Sequence, residues 1–416
     1  MKRFFDRKIL LLALVFLTCN YASAFGVLTH EAIIDASWDK SILPLLKEKY
    51  PQITTEQQKE AHAYAYGGAV APDMGYYPFG SKLFTNLVHY VRSGDMVNAL
   101  LKDADNINEY AFALGFLSHY IADNYGHPLA TNLSVPLVYP KLKKKYGHVI
   151  TYAENRISHM RMEFGFDVLE VAKGNYASQA YHDFIGFKVD TVVLSKAFFE
   201  TYGLGINEVF NNHLPLAVET FRWIIANIFP TITKAAWSAK KNNIQTQNHT
   251  ATSRSFTFKM RRKQYNKQFG KGYERPGVSA KLLSFFIRAL PKIGPLRALR
   301  FKAPTPKAEK LFDDSFDTIM VHYAANLEQL PKRNLHPEDM DFDTGKPTAD
   351  CEYSLADQTY CDWLLKLKGD EFKNADPQIR LNIIKFFHLN NSISTVAYSK
   401  KCAKFYNACK EIVALH

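Results

Sequence analysis

Residues 107–127 read INEYAFALGFLSHYIADNYGH. Tyr110, Leu114, Leu117 and Ile121 recur at steps of three and four, the spacing of one helix face rather than the alternation of a strand. On the same stretch His119, Asp123 and His127 follow one another at four-residue intervals. Four residues turn a helix through about 400°, so successive side chains share a face with a drift of about 40°. Pro128 disfavours helical geometry at the residue before it, which puts His127 in or just past the last turn. One helix is thus predicted to bury an apolar stripe and to carry a row of nitrogen and carboxylate groups.

Outward from this helix, residues 148–172, 205–229, 307–330 and 376–387 carry similar helical patterning, strand-like alternation is scarce and no internal repeat is visible. The expected fold class is all-α: a multi-helix bundle with a metal cluster between helices, followed by a mainly helical C-terminal extension. The 416 residues are 47% hydrophobic and 14% aromatic, a composition that supports a large core and excludes disorder, collagen and a disulfide-dense miniprotein.

The first 24 residues read as a targeting segment. Lys2, Arg3, Arg7 and Lys8 form a basic head, Ile9 to Leu17 an apolar run, and Ala22-Ser23-Ala24 a small-residue cleavage site. Nine apolar residues are too few to span a bilayer, which takes about twenty. The expectation is an exported, periplasmic or secreted protein that is soluble or peripheral and begins at Phe25. Lipidation at Cys19 is disfavoured by Thr18. Four cysteines then remain, Cys351, Cys361, Cys402 and Cys409, an even count that suggests two disulfides in an exported chain. Of three connectivities, local pairing of Cys351 with Cys361 and Cys402 with Cys409 is the expectation.

The chain divides into 25–235, a helical body; 236–306, a basic, aromatic-rich linker or docking segment; and 307–416, a helical C-terminal extension holding the four cysteines. Residues 253–302 carry 14 Lys+Arg against one acid, Glu274. That +13 exceeds the +9 of the whole chain after residue 24, so the positive charge is concentrated. Arg261, Arg262, Lys263, Lys267 and Lys271 stand among interleaved aromatics such as Phe256, Tyr265, Phe269 and Phe301. Bases with exposed aromatics suit an anionic membrane surface or a polyanion; the alternative is a solvated basic face whose aromatics belong to the core. Asp339, Asp341, Asp343 and Gly345 superficially resemble a calcium loop. The glycine falls one position late and no glutamate closes the loop, so a solvated acidic turn is expected.

A second stripe, His159, Glu163 and Asp167, repeats the four-residue step of the first. Zinc takes imidazole nitrogen and carboxylate oxygen at about 2.0–2.2 Å, and paired positions on facing helices bring such atoms together. A single His-x-x-x-acid is ordinarily a helix-surface pair of small energetic value. Two of them in one helical region point to metal. His62 and His148 are read as helix-surface or supporting residues.

These residues resemble the zinc-dependent phospholipase C superfamily, which also includes single-strand-specific fungal zinc nucleases and the glycosylphosphatidylinositol-specific phospholipase D catalytic domain. The resemblance covers residues 25–235, about half of the chain. Phe25-Gly26-Val27-Leu28-Thr29-His30 looks like the family's mature start, Ala71-Pro72-Asp73 like its aspartate ligand, and His89 like the histidine that follows. Ser118 to Asp123 resembles the central histidine–aspartate helix, and His159 to Asp167 the later ligand pair with its trailing aspartate. The resemblance implies three zinc ions. The first is held by Asp73, His89, His119 and Asp123. A second shares Asp123 and adds His30 with the free amine and carbonyl of Phe25; the remaining one is held by His127, His159 and Glu163. Phe25 replaces the tryptophan of several members, which main-chain ligation tolerates. His127 follows Asp123 by four residues rather than six, a spacing similar to the phospholipase D-like branch, as is Phe-Gly-x-Asp after Glu163.

Clustered zinc ions suit phosphodiester hydrolysis through a metal-bridged hydroxide, with the metals neutralising charge on the phosphoryl oxygens and Asp73 orienting or deprotonating the water. The leading expectation is an exported phospholipase C acting on phospholipid, docked on anionic lipid by the basic segment. The rivals are a zinc-dependent single-strand nuclease and a non-catalytic, membrane- or polyanion-binding helical protein with structural metal.

Overall fold

The computed structural model describes residues 26–230, 233, 300–332, 334–389 and 402–415. The targeting segment, Phe25 and the basic cluster at 261–271 lie outside the described residues. The helices are α1 Val27–Ser37, α2 Leu43–Lys49, α3 Thr55–Val70, α4 Lys82–Tyr90, α5 Ser93–Asp103, α6 Ile107–Gly126, α7 Asn132–Val138, α8 Pro140–Tyr146, α9 Tyr152–Lys173 and α10 Gln179–Ile185. They continue with α11 Thr191–Tyr202, α12 Ile206–Val209, α13 Leu214–Trp223, α14 Pro306–Gln329, α15 Ser354–Gly369, α16 Pro377–Phe386 and α17 Cys402–Ala414. Among the described residues the only strands are β1 Met340–Asp341 and β2 Lys346–Pro347, a two-residue antiparallel pair. The fold is all-α, with the candidate metal groups lying among the helices.

Local sequence explains where the helices begin. Thr54 and Gln57 form a capping box on α3, Asn106 Oδ1 accepts from the amides of Asn108 and Glu109 to open α6, and Thr305-Pro306 and Asp376-Pro377 open α14 and α16. The 205–229 pattern resolves into two pieces: left-handed Asn211 and Asn212 interrupt it between α12 and α13.

The core is organised by α3 against α6. A Cβ on Gly115 would come within 2.0 Å of the Ala65 carbonyl, and one on Gly68 within 2.0 Å of the Phe112 carbonyl. Glycine at both positions lets the two backbones touch. From the C-terminal third, α14 packs on α6, where Tyr323 donates to the Leu114 carbonyl at 2.9 Å. α15 packs on α4, and its buried Trp363 donates to the Tyr202 carbonyl at the end of α11. The C-terminal helices therefore share one core with the residues that precede the basic segment.

Three expectations need correction. The turn carrying Asp339, Asp341 and Asp343 is not solvated: Asp341 and Asp343 are buried, and each aspartate bonds within the protein. Asp339 accepts from the amides of Gly94 and Asp95 at the start of α5, and Asp341 from the Asp343 amide and the Thr344 hydroxyl. Local disulfide pairing fails as well, because Cys361 and Cys409 are free thiols. Cys402 and Cys409 lie seven residues apart on α17, about 10 Å along the axis, beyond the reach of a disulfide. Burial pushes the Cys361 thiol up to about 12, with Cys409 nearby adding to the effect. Finally, Phe301 of the basic segment is not exposed but packs in the core against the Phe164 ring.

Candidate metal centre

The site is assembled from six pieces of chain, all reaching one buried cleft. α1 brings His30, a 3-10 turn at Ala71–Tyr76 brings Asp73, α4 brings His89, and α6 brings His119 and Asp123. The π-helical turn His127–Thr131 that continues α6 brings His127, and α9 brings His159 and Glu163. All eight side chains are at most 1% exposed.

The start of α1 is held by α9. Asp167 accepts from the Leu28 amide at 3.2 Å, the Thr29 amide at 3.0 Å and the Thr29 hydroxyl at 2.7 Å. It thus satisfies the free N–H groups of the first turn. Any side chain at Gly26 would collide with this carboxylate, its Cβ lying 2.3 Å from Asp167 Oδ1. Burial lifts the Asp167 carboxyl to about 7 against the bonds from Thr29 and Leu28. This aspartate, one helical step beyond Glu163, fixes the helix that carries His30.

Asp123 is at the centre. Its Oδ1 faces His30 Nε2 at 3.5 Å and His127 Nε2 at 3.8 Å, and its Oδ2 faces His119 Nε2 at 3.2 Å and His89 Nε2 at 3.6 Å. Asp73 Oδ1 lies 3.5 Å from His89 Nε2. On the far side of His127, Glu163 Oε1 stands 2.8 Å from His159 Nε2 and 3.3 Å from His127 Nε2. Three sets of donor atoms fall within 4.8 Å of one another: His30, His119, Asp123; Asp73, His89, His119; and His127, His159, Asp343.

The outer nitrogens of three imidazoles are engaged. His119 Nδ1 contacts the Ala69 carbonyl at 2.8 Å, His89 Nδ1 contacts the Thr85 carbonyl at 2.8 Å, and His127 Nδ1 lies 3.1 Å from Asp343 Oδ1. A carbonyl accepts only from a protonated nitrogen, so His119 and His89 carry a proton on Nδ1 and present Nε2 inward, the nitrogen that a metal would take on deprotonation. This is the arrangement that metal-bound histidines use.

Burial raises the Asp123 carboxyl, but the imidazoles of His119 and His127 outweigh it and hold the group far below the usual carboxylate range. Burial holds Asp73 above that range. Burial together with His119 keeps His30 well below the ordinary histidine value, whereas Asp123 and Asp343 overcome burial and lift His127 well above it. Both oxygens of Asp73, Asp123 and Glu163 are buried with no hydrogen-bond donor of good geometry among the described residues. Buried anions without donors cost several kcal/mol each. A cation among these atoms removes that cost, and a mixed imidazole–carboxylate set is one that zinc takes. The residues fit the metal.

His30, Asp73, His89, His119, Asp123, His127, His159 and Glu163 are all brought together, while Phe25 and the basic docking residues lie outside the described residues. Asp343 was read as part of a solvated turn and instead reaches the centre behind His127. Its Oδ2 accepts from the hydroxyls of Tyr90, at 2.8 Å, and Tyr353. Phe342 beside it covers the rings of His89 and His119. The clustering of aspartates in 339–345 was the visible signal; nothing in the sequence tied it to a helix so far upstream.

His62 is not a surface residue. It is buried, stacked on Trp38 at 3.9 Å, and 3.2 Å from Asp35 in a separate network with His182 and Glu31. His148 is exposed, as expected. A cavity of about 1080 Å³ borders this second network through Asp35 and His62 and holds none of the eight metal-facing side chains. Its α1 residues Ala32, Asp35 and Ala36 project from the side of the helix opposite His30.

Among the described residues, no helix is long and apolar enough to cross a membrane. No curated protein and no solved structure matches the chain. Residues 29–212 match the family model described as zinc dependent phospholipase C, a span that holds every one of the eight converging side chains. Over that span the match supports membership of the zinc-dependent phospholipase C superfamily.

Proposed function

We propose that this protein is an exported, zinc-dependent phosphodiester hydrolase that acts on phospholipid as a phospholipase C. The observation that carries the reading is the convergence of five histidines and three carboxylates around Asp123, with the carboxylate oxygens lacking donors. In the proposed assignment Asp73, His89, His119 and Asp123 hold one zinc. Asp123 also serves a second with His30 and the main-chain amine and carbonyl of Phe25, the amine being created by cleavage after Ala24. His127, His159 and Glu163 hold the third. Glu163 is preferred to Asp343 for that set because it faces the Nε2 atoms of both histidines, whereas Asp343 meets His127 on Nδ1.

Zinc bound there supplies Lewis acidity toward phosphoryl oxygens and lowers the proton affinity of the attacking water. The chain does the rest. Ala69, Thr85 and Asp343 hold three imidazoles in the inward-facing orientation. Asp73, a buried carboxylate held by burial above its usual range, is the group proposed to orient the water and take its proton.

In this reading residues 25–235 are the catalytic body and 236–306 dock it on anionic lipid. Within the extension 307–416, the 339–345 turn supports His127. The test is elemental analysis of protein cleaved before Phe25, followed by hydrolysis of phospholipid vesicles and of single-stranded nucleic acid. Two to three zinc per chain with lipid cleavage is the expected result. Cleavage of nucleic acid alone would make the protein a nuclease, and metal retention without hydrolysis a binding protein. Neutralising Arg261, Arg262 and Lys263 together should weaken binding to anionic vesicles and its salt dependence; unchanged binding would remove that cluster from the docking role.

A further inference from the structure

Arg156 occupies a position that the metal centre does not account for. Asn155 leaves helical geometry, with φ −154° and ψ 77°, and its Oδ1 accepts from the Ser158 amide at 3.0 Å. The continuous part of α9 therefore starts at Arg156. From there Arg156, His159 and Glu163 follow at positions i, i+3 and i+7, which share one helix face. The guanidinium is thus one turn above His159 on the metal-facing stripe.

Its immediate neighbour is aromatic, and the carboxylates of Asp343 and Glu163 act on that ring without pairing with the guanidinium. The guanidinium carbon lies 5.5 Å from the centroid of the Tyr152 ring. Tyr152 in turn meets the His159 ring edge-on at 5.6 Å and the Tyr76 ring at 6.2 Å, and Tyr76 reaches the His89 ring at 6.3 Å. Tyr152 is 91% buried, since only 9% of it is exposed. Arg156 Nη2 is buried with no hydrogen-bond partner of good geometry among the described residues, and the Tyr152 hydroxyl, also buried, has the Tyr76 side chain beside it. No carboxylate among the described residues forms a salt bridge with Arg156.

A buried donor without an acceptor on a permanent cation is costly unless a ligand supplies the missing acceptor. Arg prefers a planar or multi-oxygen anion because its N–H groups form a fixed fork. We infer that Arg156 and Tyr152 form an anion subsite beside the metal centre, which takes a non-bridging oxygen of the substrate's phosphoryl group. A tyrosine hydroxyl is protonated at neutral pH and can donate. Arg156 then neutralises the substrate's charge one helical turn from His159 and fixes which phosphoryl oxygen faces the metal-facing atoms. This inference rests on the phosphodiesterase reading above and adds residues to it.

The experiment uses the processed, zinc-loaded full chain and compares the parent with Arg156→Gln, Arg156→Lys and Tyr152→Phe. Zinc per chain is measured first, then the affinity for inorganic phosphate by calorimetry, then KM and kcat on a soluble short-chain phospholipid. Arg156→Gln should keep its zinc, lose about tenfold or more in phosphate affinity, as expected for a hydrogen bond to a charged group, and raise KM by a similar factor. Tyr152→Phe should lose less, and Arg156→Lys should recover part of the loss. Phosphate affinity equal to the parent in both Arg156→Gln and Tyr152→Phe would overturn the subsite while leaving the metal reading intact. A parent that takes up no zinc would overturn the phosphodiesterase reading, and the subsite with it.

Discussion

Asp343 approaches His127 from outside the metal centre, with Oδ1 3.1 Å from Nδ1, while His127 Nε2 faces Asp123 and Glu163. The carboxylate is held in turn by the hydroxyls of Tyr90 and Tyr353, and Asn132 donates to its main-chain carbonyl at 2.7 Å. The turn is pressed so closely on the end of α6 that a Cβ on Gly345, itself at φ +65°, would lie 2.3 Å from the Asn124 carbonyl. A negative charge on the outer nitrogen makes an imidazole a better metal ligand and fixes its ring. Asp343→Asn removes the charge at nearly constant shape. Metal titration should show one class of zinc weakened about 10–100-fold, with helical circular dichroism unchanged. Equal affinity in the variant would reduce Asp343 to a packing residue.

The same outer support at His119 depends on a glycine. His119 Nδ1 reaches the Ala69 carbonyl at 2.8 Å because α3 and α6 touch backbone to backbone. Gly115→Ala puts a methyl 2.0 Å from the Ala65 carbonyl, a contact relieved only by moving the helices apart. The expected cost is about 1–3 kcal/mol, as for an overpacked core, read as a lower melting temperature. Zinc affinity should fall with it, since the Ala69 carbonyl moves with α3. A variant that melts lower yet binds zinc as tightly would separate the packing from the ligand support.

His119→Ala tests the centre itself. His119 faces Asp123 and belongs to two of the three donor sets. The variant should lose zinc and hydrolysis while staying helical, because His119 bonds outward only to one carbonyl and the apolar face of α6 is untouched. Unchanged zinc content, by elemental analysis, would refute the ligand assignment.

What spacing alone made legible was whatever lies on one helix; His30, Asp73 and His89 came only from the family resemblance. His119, Asp123 and His127 share a face by spacing alone, as do His159 and Glu163, and the helices that carry them were legible from the same periodicity. Two kinds of relationship were not. Gly68 and Gly115 look like weak points in helical patterns until their partner backbones are known. Asp343 reads as a solvated acid because its burial is conferred largely by Tyr90 and His127, both more than 200 residues away in sequence, together with Tyr353. The buried second network behind α1 was missed for the same reason, since Asp35, His62 and His182 come from three separate helices.

That network gives a prediction of pH dependence. His182 lies 3.2 Å from Glu31 through Nδ1 and 3.5 Å from Asp35 through Nε2, while His62 and the Tyr66 hydroxyl also contact Asp35. Burial alone would lower the His182 value, but Glu31 and Asp35, with Asp183 adding a little, lift it from 6.5 to about 9. The protonated form therefore favours the folded chain. This contribution is complete below about pH 6.5 and is lost as pH rises through about 9. Asp35, lowered by His182 and His62 against its burial, works on the opposite limb and loses its contribution only as pH falls below 3.8. Glu31, lifted to about 7 by burial and held down by His182, titrates at the acid end of the range. Melting temperature measured from pH 7 to 9.5 should fall in the parent. In His182→Gln it should start lower at pH 7 and fall less above pH 8, Glu31 accounting for the remaining slope. A parallel decline in both proteins would show that the alkaline loss of stability arises elsewhere and that His182 is not the proton that holds α10 to α1.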